Sequence, residues 1–290
     1  MLVIYNPAAG RRCARLLWHV LDVLANNGLR IEVAETKHAG DATAYAQAAA
    51  VAGVSLVVAA GGDGTIAEVA NGLAGSEARL GIIPLGTANV LAHELGLHGS
   101  ARDVAAALAF GRQSRLWPGQ VQTKEGSRLF VQMLGVGFDA QVVHRLPHAL
   151  KRRLGRASYV IQSLRELPRY RFQPLRLRLD GEEVEAFSAI VSKGRYYGGR
   201  FILAPSAKSC EPGFSVTLFE KGGPLSTLLY GVALPLDLLA KSPGVRLRHA
   251  YRIEFIGDAA LPAQADGDAA GQAPLCVTNA PNPIQVVVGS

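Results

Sequence analysis

Five consecutive positions, Gly61-Gly62-Asp63-Gly64-Thr65, combine three glycines with one carboxylate and one hydroxyl. They follow an apolar run, Val57-Val58-Ala59-Ala60, and precede a helical pattern in which Ile66, Val69, Ala70 and Leu73 share one face. Glycines at a strand end permit positive φ and the close approach of a ligand to the backbone. The first turn of the next helix aims unpaired N–H groups and the positive end of its dipole back at the loop, which suits phosphate. A lone Asp there would repel phosphate unless a cation lies between them. Mg²⁺ is the natural bridge, because it prefers oxygen ligands and retains waters. The competing reading is an ordinary strand–helix turn in which Asp63 or Thr65 caps the helix. Two other stretches favour an anion site. A second strand ends at Gly86-Thr87, with Asn89 entering a helix, and the first strand ends at Asn6, followed by Gly10, Arg11 and Arg12. Three strand ends then form one anion-friendly rim.

The elements that must hold this rim are legible in the first third of the chain. "MLVIYNP" reads as a strand, and Leu16, Leu17, Val20, Leu21 and Leu24 repeat at helical spacing. "LRIEVAET" is a second strand, Asp41 caps a second helix, "SLVVAA" is a third strand and "RLGIIPLG" a fourth. Alternation of this kind predicts a Rossmann-like parallel sheet with ligands at the carboxyl ends of its strands. After Gly119 the pattern changes to short β-type runs, such as "RLFVQMLGVG", "FSVTLFE", "YRIEFIG" and "IQVVV". Leu175, Leu177 and Leu179 alternate with Arg176 and Arg178, and Asp180-Gly181 is a hairpin turn. These signals place an α/β nucleotide-binding domain at 1–120 and a β-rich domain at 121–290, with a basic helical insertion near 145–170.

The 290 residues are 49% hydrophobic and carry a formal charge of +7, the balance of an ordered protein with a basic bias. From Arg145 to Arg178 there are ten Lys or Arg and one acid, Glu166, so the remainder of the chain is slightly acidic. Such a block suits phosphates, in an anionic membrane surface or a nucleic acid; a solvated basic helix is the plain alternative. Stacking aromatics are scarce in it, only Tyr159, Tyr170 and Phe172, so nucleic acid is not expected. Three widely spaced cysteines argue against a disulfide framework or zinc cluster and for a reducing compartment. His144 and His148 lack a third ligand nearby in sequence. "MLVIYNP" lacks the features of a signal peptide. Pro224 to Ala240 spans 17 residues interrupted by Pro235 and Asp237, too short to cross a bilayer, and reads as an amphipathic or buried helix. No GxxxxGK[ST] loop is present, and "GVGFDA" at Gly135–Ala140 reads as a close-packed strand end rather than a dinucleotide loop.

The motifs "IYNPAAGRR", "ETKHAGDA", "GGDGTIAEVANGL" and "GIIPLGTAN", followed in order by "LGVGFDAQVV", "KRRLGRASYV", "KGRYYGGRFILAP" and "ADGD", resemble the diacylglycerol kinase catalytic domain family. That family includes bacterial lipid kinases and sphingosine kinases. The resemblance spans nearly the whole chain, although GGDG alone is shared with NAD kinases and phosphofructokinases. It implies an ATP-dependent lipid kinase, with a diacylglycerol-kinase-like α/β domain, a C-terminal β-sandwich and an ATP cleft between them. The ATP-binding set is then Asn6, Gly10, Arg11, Thr36, Gly61, Gly62, Asp63, Gly64, Thr65, Glu68, Gly86, Thr87 and Asn89, with Asp63 positioning Mg²⁺–ATP. The family's late Asp-Gly-Glu supplies a general base; here Asp266-Gly267-Asp268 stands in its place, so Asp268, one methylene shorter, would take the proton. Asp180-Gly181-Glu182 is a second such triplet, but its place before "KGRYYGG" fits a structural turn. Asn89-Val90-Leu91 is closer to the Asn-Ala-Leu of sphingoid kinases than to the Asn-Asp-Phe of many bacterial members.

The implied partners are a lipid substrate and the anionic inner face of a membrane, met from the cytoplasm by Lys151, Arg152, Arg153 and Arg156; a homodimer is compatible with the sequence. The alternatives are a soluble NAD kinase-like enzyme and a non-catalytic lipid- or nucleotide-binding module of the same fold.

Overall fold

A computed structural model describes residues 1–9, 14–147, 149–150, 154–257 and 260–289. Gly10, Arg11, Lys151, Arg152, Arg153 and His148 therefore lie outside the described residues. The chain forms two compact units: Met1–Pro118 with Ser209–Glu211 and Ala280–Ser290, and Gly119–Lys208 with Pro212–Asn279.

Unit 1 is an α/β domain. Its strands are β1 (Leu2–Tyr5), β2 (Glu32–Glu35), β3 (Leu56–Gly61), β4 (Arg79–Pro84), β5 (Arg112–Leu116) and β20 (Ile284–Val288), in the order β2-β1-β3-β4-β20-β5. All neighbours are parallel except β20 and β5. The helices are α1 (Ala14–Asn26), α2 (Asp41–Val51), α3 (Asp63–Gly72), α4 (Val90–Glu94) and α5 (Ala101–Phe110). Strand β3 is buried throughout, which is why its sequence is a continuous apolar run rather than an alternating one. Helix α1 buries Leu17, Val20, Leu21 and Leu24. Alanines 42, 46 and 49 let α2 pack closely on α3: a Cβ on Gly72 would stand 2.4 Å from the Thr43 carbonyl oxygen. The order β2-β1-β3 places a topological switch point between β1 and β3, where such sheets bind ligands.

The reading of 121–290 as one continuous stretch differs from this at the chain's end. Strand β20 pairs with β4 and β5, so residues 280–290 return to unit 1. An isolated "IQVVV" carries no mark of which sheet it will complete.

Unit 2 is a β-sandwich. One sheet runs β10 (Glu182–Ala186), β9 (Leu175–Leu179), β16 (Arg252–Ile256), β19 (Leu275–Asn279), β6 (Gly119–Thr123), β7 (Gly126–Phe130). The other runs β15 (Val245–Ala250), β14 (Phe214–Phe219), β11 (Ser188–Ser192), β8 (Met133–Val136), β17 (Pro262–Ala265), β18 (Asp268–Gln272). Leu175, Leu177 and Leu179 enter the shared core with Phe130, Phe214 and Phe255, as their alternation predicts. A two-stranded hairpin, β12 (Tyr196–Tyr197) with β13 (Phe201–Ile202), and helices α6 (Phe138–Arg145), α7 (Ala157–Glu166) and α8 (Pro224–Ala233) add to the unit, with α7 inside the basic stretch. No helix of the described residues is long and apolar enough to cross a membrane.

Candidate active site

The three strand ends of unit 1 meet, as the parallel register requires. Tyr5 pairs with Ala60 across β1 and β3, and Gly61 with Pro84 across β3 and β4. Asn6 donates from Nδ2 to Thr65 Oγ1 (3.0 Å) and accepts at Oδ1 from the Ala8 N–H (2.9 Å), tying the end of β1 to the first turn of α3. The amides of Leu85 and Gly86 both donate to the Gly61 carbonyl, at 2.9 and 3.2 Å. Thr36, at the end of β2, donates its backbone N–H to the Tyr5 carbonyl (2.9 Å).

The sequence allows these glycines two uses, positive φ or close approach to the backbone. None of Gly61, Gly62 and Gly64 has positive φ, and Gly62 lies at φ −94°. The residue in the left-handed region is Asn89, at φ 48°. The glycines are needed for space instead. A Cβ on Gly61 would stand 2.5 Å from Thr65 Oγ1, and one on Gly86 would stand 2.5 Å from the Gly62 Cα. The two glycine loops thus touch backbone to backbone at Gly62 and Gly86.

Asp63 joins the same two loops. Its carboxylate accepts the N–H groups of Asn89 (2.9 Å) and Val90 (2.6 Å), capping α4 rather than its own helix. Burial pushes its pKa up, against the opposing pull of those amides. Asn89 in turn donates from Nδ2 to the Gly86 carbonyl (2.8 Å), while its buried Oδ1 has no hydrogen-bond partner. That leaves one buried acceptor in the loop for an incoming donor. Thr87 is exposed at the loop tip. Glu68 lies one turn further along α3, where its carbonyl accepts from Thr43 Oγ1 (3.0 Å). Of the residues that the resemblance implies for ATP, Asn6, Gly61, Gly62, Asp63, Thr65, Gly86 and Asn89 are therefore brought together, with Gly64 and Thr87 beside them.

In unit 2, Asp268 is exposed at the start of β18, directly after a two-residue hairpin in which Asp266 (φ 52°) and Gly267 (φ 84°) are both left-handed. Asp266 has a structural duty the sequence did not reveal. Its carboxylate accepts from Val131 (2.8 Å), Gln132 (2.8 Å) and Met133 (3.0 Å), fastening the hairpin to the segment leading into β8. Burial nevertheless raises its pKa to about 6, since desolvation outweighs the three amides. The Asp180-Gly181 hairpin is built alike: Asp180 lies at φ 49° and accepts from Tyr251 and Arg252. There, Glu182 pairs with Arg248 at 2.6 Å on the surface.

Beneath the Asp266-Gly267 turn lies a buried polar chain that sequence reasoning also missed. Gln264 accepts the Gly267 N–H at Oε1 (2.8 Å) and donates from Nε2 to Asp139 (2.8 Å), which also accepts the Tyr197 hydroxyl. Burial raises the pKa of Asp139, and burial together with the Asp139 charge raises that of Tyr197. Gly135 of "GVGFDA" makes room for this group, since a Cβ there would meet Asp139 Oδ2 at 2.3 Å. Arg156 is exposed at the start of α7. Among the described residues, no group of three or more His, Cys, Asp or Glu is placed to hold a metal ion.

Residues 1–121 match the diacylglycerol kinase catalytic domain, and residues 132–288 match the YegS C-terminal NAD kinase beta sandwich-like domain. The diacylglycerol kinase of Bacillus subtilis (strain 168) is 33% identical over 225 residues, 76% of this chain and 73% of that protein. The diacylglycerol kinase of Staphylococcus saprophyticus is 30% identical over 290 residues, covering 98% and 93%. A crystal structure of a diacylglycerol kinase from Bacillus anthracis str. Sterne superposes with a TM-score of 0.74 at 20% identity, over 99% of this chain and 96% of that one, which establishes the shared fold.

Proposed function

Because this chain belongs to the diacylglycerol kinase catalytic domain family, we propose that it is an ATP-dependent lipid kinase whose acceptor is the hydroxyl of a diacylglycerol or sphingoid-type lipid. One observation carries the reading: three parallel strand ends converge on two glycine loops packed backbone to backbone, with Asp63 and Asn89 linking them. In this reading Gly61, Gly62, Gly64 and Gly86 give the phosphates access to main-chain amides, while Asn6 and Thr65 hold the loop in shape. Thr36, Glu68 and Thr87 complete the nucleotide set.

Asp63 fits a role beside magnesium. The Asn89 and Val90 amides bond one to each carboxylate oxygen, and the nearby amides of Asp63 and Leu91 also favour the charged form, the form a cation requires, against the cost of burial. With no cluster of protein ligands among the described residues, phosphate oxygens and waters would complete the shell, as Mg²⁺ prefers. When bound, the ion would offset phosphate charge. Asp268 is the proposed base. It accepts the lipid hydroxyl proton as that oxygen bonds to the γ-phosphorus and the bond from phosphorus to the bridging oxygen breaks, releasing ADP. Phosphoryl transfer depends mainly on position and electrostatics, so a carboxylate one methylene short of Glu remains serviceable. We place the enzyme at the cytoplasmic face of an anionic membrane, with Arg156 among its basic contacts.

Incubation with γ-phosphate-labelled ATP, magnesium and a panel of diacylglycerol, sphingoid base, ceramide and NAD tests this. Label is expected in one lipid class. Label in NAD alone, or in nothing, refutes the proposal. Asp268→Ala is expected to bind ATP normally and to lose roughly 10²–10⁴-fold in turnover, the range of a general base.

A further inference from the structure

An amphipathic helix on a globular domain normally turns its apolar stripe inward. Helix α8 does the opposite. Leu225, Leu228, Leu229 and Val232 fall at the i, i+3, i+4, i+7 positions of one face, and their exposures are 71%, 46%, 59% and 55%. The stripe continues with Leu236 (60%), at the end of the following 3-10 turn, and with Leu238 (50%) just beyond it. Six large aliphatic side chains within fourteen residues are thus presented to solvent. The helix is held by its other side. Tyr230 is buried, its ring 5.1 Å from that of Phe219 and its hydroxyl donating to the Gly244 carbonyl (3.2 Å). Of the two readings of this stretch, buried or amphipathic, the structure rules out the buried one: its apolar side chains are exposed among the described residues.

Charge identifies the occupant. Unit 2 contains 21 Lys and Arg against 13 Asp and Glu, whereas unit 1 contains 9 against 10, so unit 2 carries the whole positive excess. Exposed Lys221 and Lys241 bracket the apolar segment at its two ends, and Asp237 is the one acid between them. A second copy laid antiparallel on the same face would set Lys221 against the other copy's Lys241, like charge on like. An anionic lipid surface meets both lysines with opposite charge and covers the leucines. Ten residues of helix span about 15 Å, too short to cross a bilayer but suited to lying in its surface.

We propose that the α8 face inserts into the interfacial layer of anionic membranes and that Leu225, Leu228, Leu229, Val232, Leu236 and Leu238 are its anchors. The proposal deepens the lipid-kinase reading and rests on it for its biological purpose, but its test is independent of turnover. Full-length protein carrying Leu229→Trp is mixed with vesicles of phosphatidylcholine alone or with an equal part of phosphatidylglycerol. The expected result is a blue shift in Trp emission, quenching by bromine-labelled acyl chains, and binding at least tenfold tighter on the phosphatidylglycerol vesicles. Leu229→Asp with Leu236→Asp should weaken that binding by about a hundredfold, roughly tenfold for each anchor removed, with an unchanged melting profile because both side chains are exposed. Unchanged vesicle binding by the double variant overturns the proposal, as does binding indifferent to phosphatidylglycerol. So does a concentration-dependent dimer that the double variant abolishes without any vesicle binding by the parent, which would assign the face to a second copy. A protein that inserts yet labels no lipid sinks the kinase reading alone; one that labels lipid without insertion sinks this inference alone.

Discussion

Replacing Gly86 by Ala tests whether the contact between the two glycine loops is what shapes the nucleotide site. The added Cβ would lie 2.5 Å from the Gly62 Cα and 2.7 Å from Asn89 Oδ1, against the 3.4 Å at which ordinary contact begins. One loop must therefore retreat by about 1 Å. Neither neighbour yields easily: Gly62 presents backbone, and Asn89 is held by its own bond to the Gly86 carbonyl and by Asp63. A misplacement of about 1 Å in reacting groups costs on the order of a hundredfold in rate. Overpacking should also lower stability by about 1–3 kcal/mol. Gly62→Ala is the internal control, because its Cβ would meet the Gly86 Cα at 3.3 Å, only about 0.1 Å inside ordinary contact. Isothermal titration with Mg-ATP and steady-state turnover give the readouts. The expected order is wild type close to Gly62→Ala, both at least tenfold tighter for ATP than Gly86→Ala. Equal affinity in Gly86→Ala, or a worse loss in Gly62→Ala, would refute the reasoning.

Asp266 has a folded pKa near 6, above the ordinary carboxylate value, so its contribution to stability is greatest below about pH 4 and is lost as pH rises through about 6. The difference in unfolding free energy between wild type and Asp266→Asn should follow that window, and a difference curve flat from pH 4 to 7 would contradict it. Gln264→Leu removes a partner from both Asp139 and the Gly267 amide; it should cost about 1–3 kcal/mol in denaturant titrations. If that chain positions Asp268, the variant also lowers kcat without changing KM for ATP, and an equal change in both would assign it a different role.

The local signals in this chain were strong wherever the structure is locally determined. Helix α1 could be read from the spacing of Leu17, Val20, Leu21 and Leu24, because an amphipathic helix needs only its own periodicity to declare a buried face. The buried run of β3 announced a buried strand, and the Asp180-Gly181 pair announced its hairpin, whereas the turn at Asp266-Gly267 emerged only in the structure. The GGDGT loop was recognisable from composition. Its physical reason was not: the glycines serve a loop-to-loop contact between positions 62 and 86, and Asp63 caps a helix that begins 27 residues later.

What the sequence by itself determined, then, was the succession of strands and helices, the two kinds of domain, and which loops end beside one another in a parallel sheet. Only the tertiary structure decided that β20 returns to unit 1, that Asp266 is a fastening rather than a spare acid, that Asp139, Tyr197 and Gln264 share a buried chain, and that the leucines of α8 face outward. Each of these depends on partners far apart in the chain. Periodicity reports which residues lie on the same face; what that face meets is settled only when the rest of the molecule has packed around it.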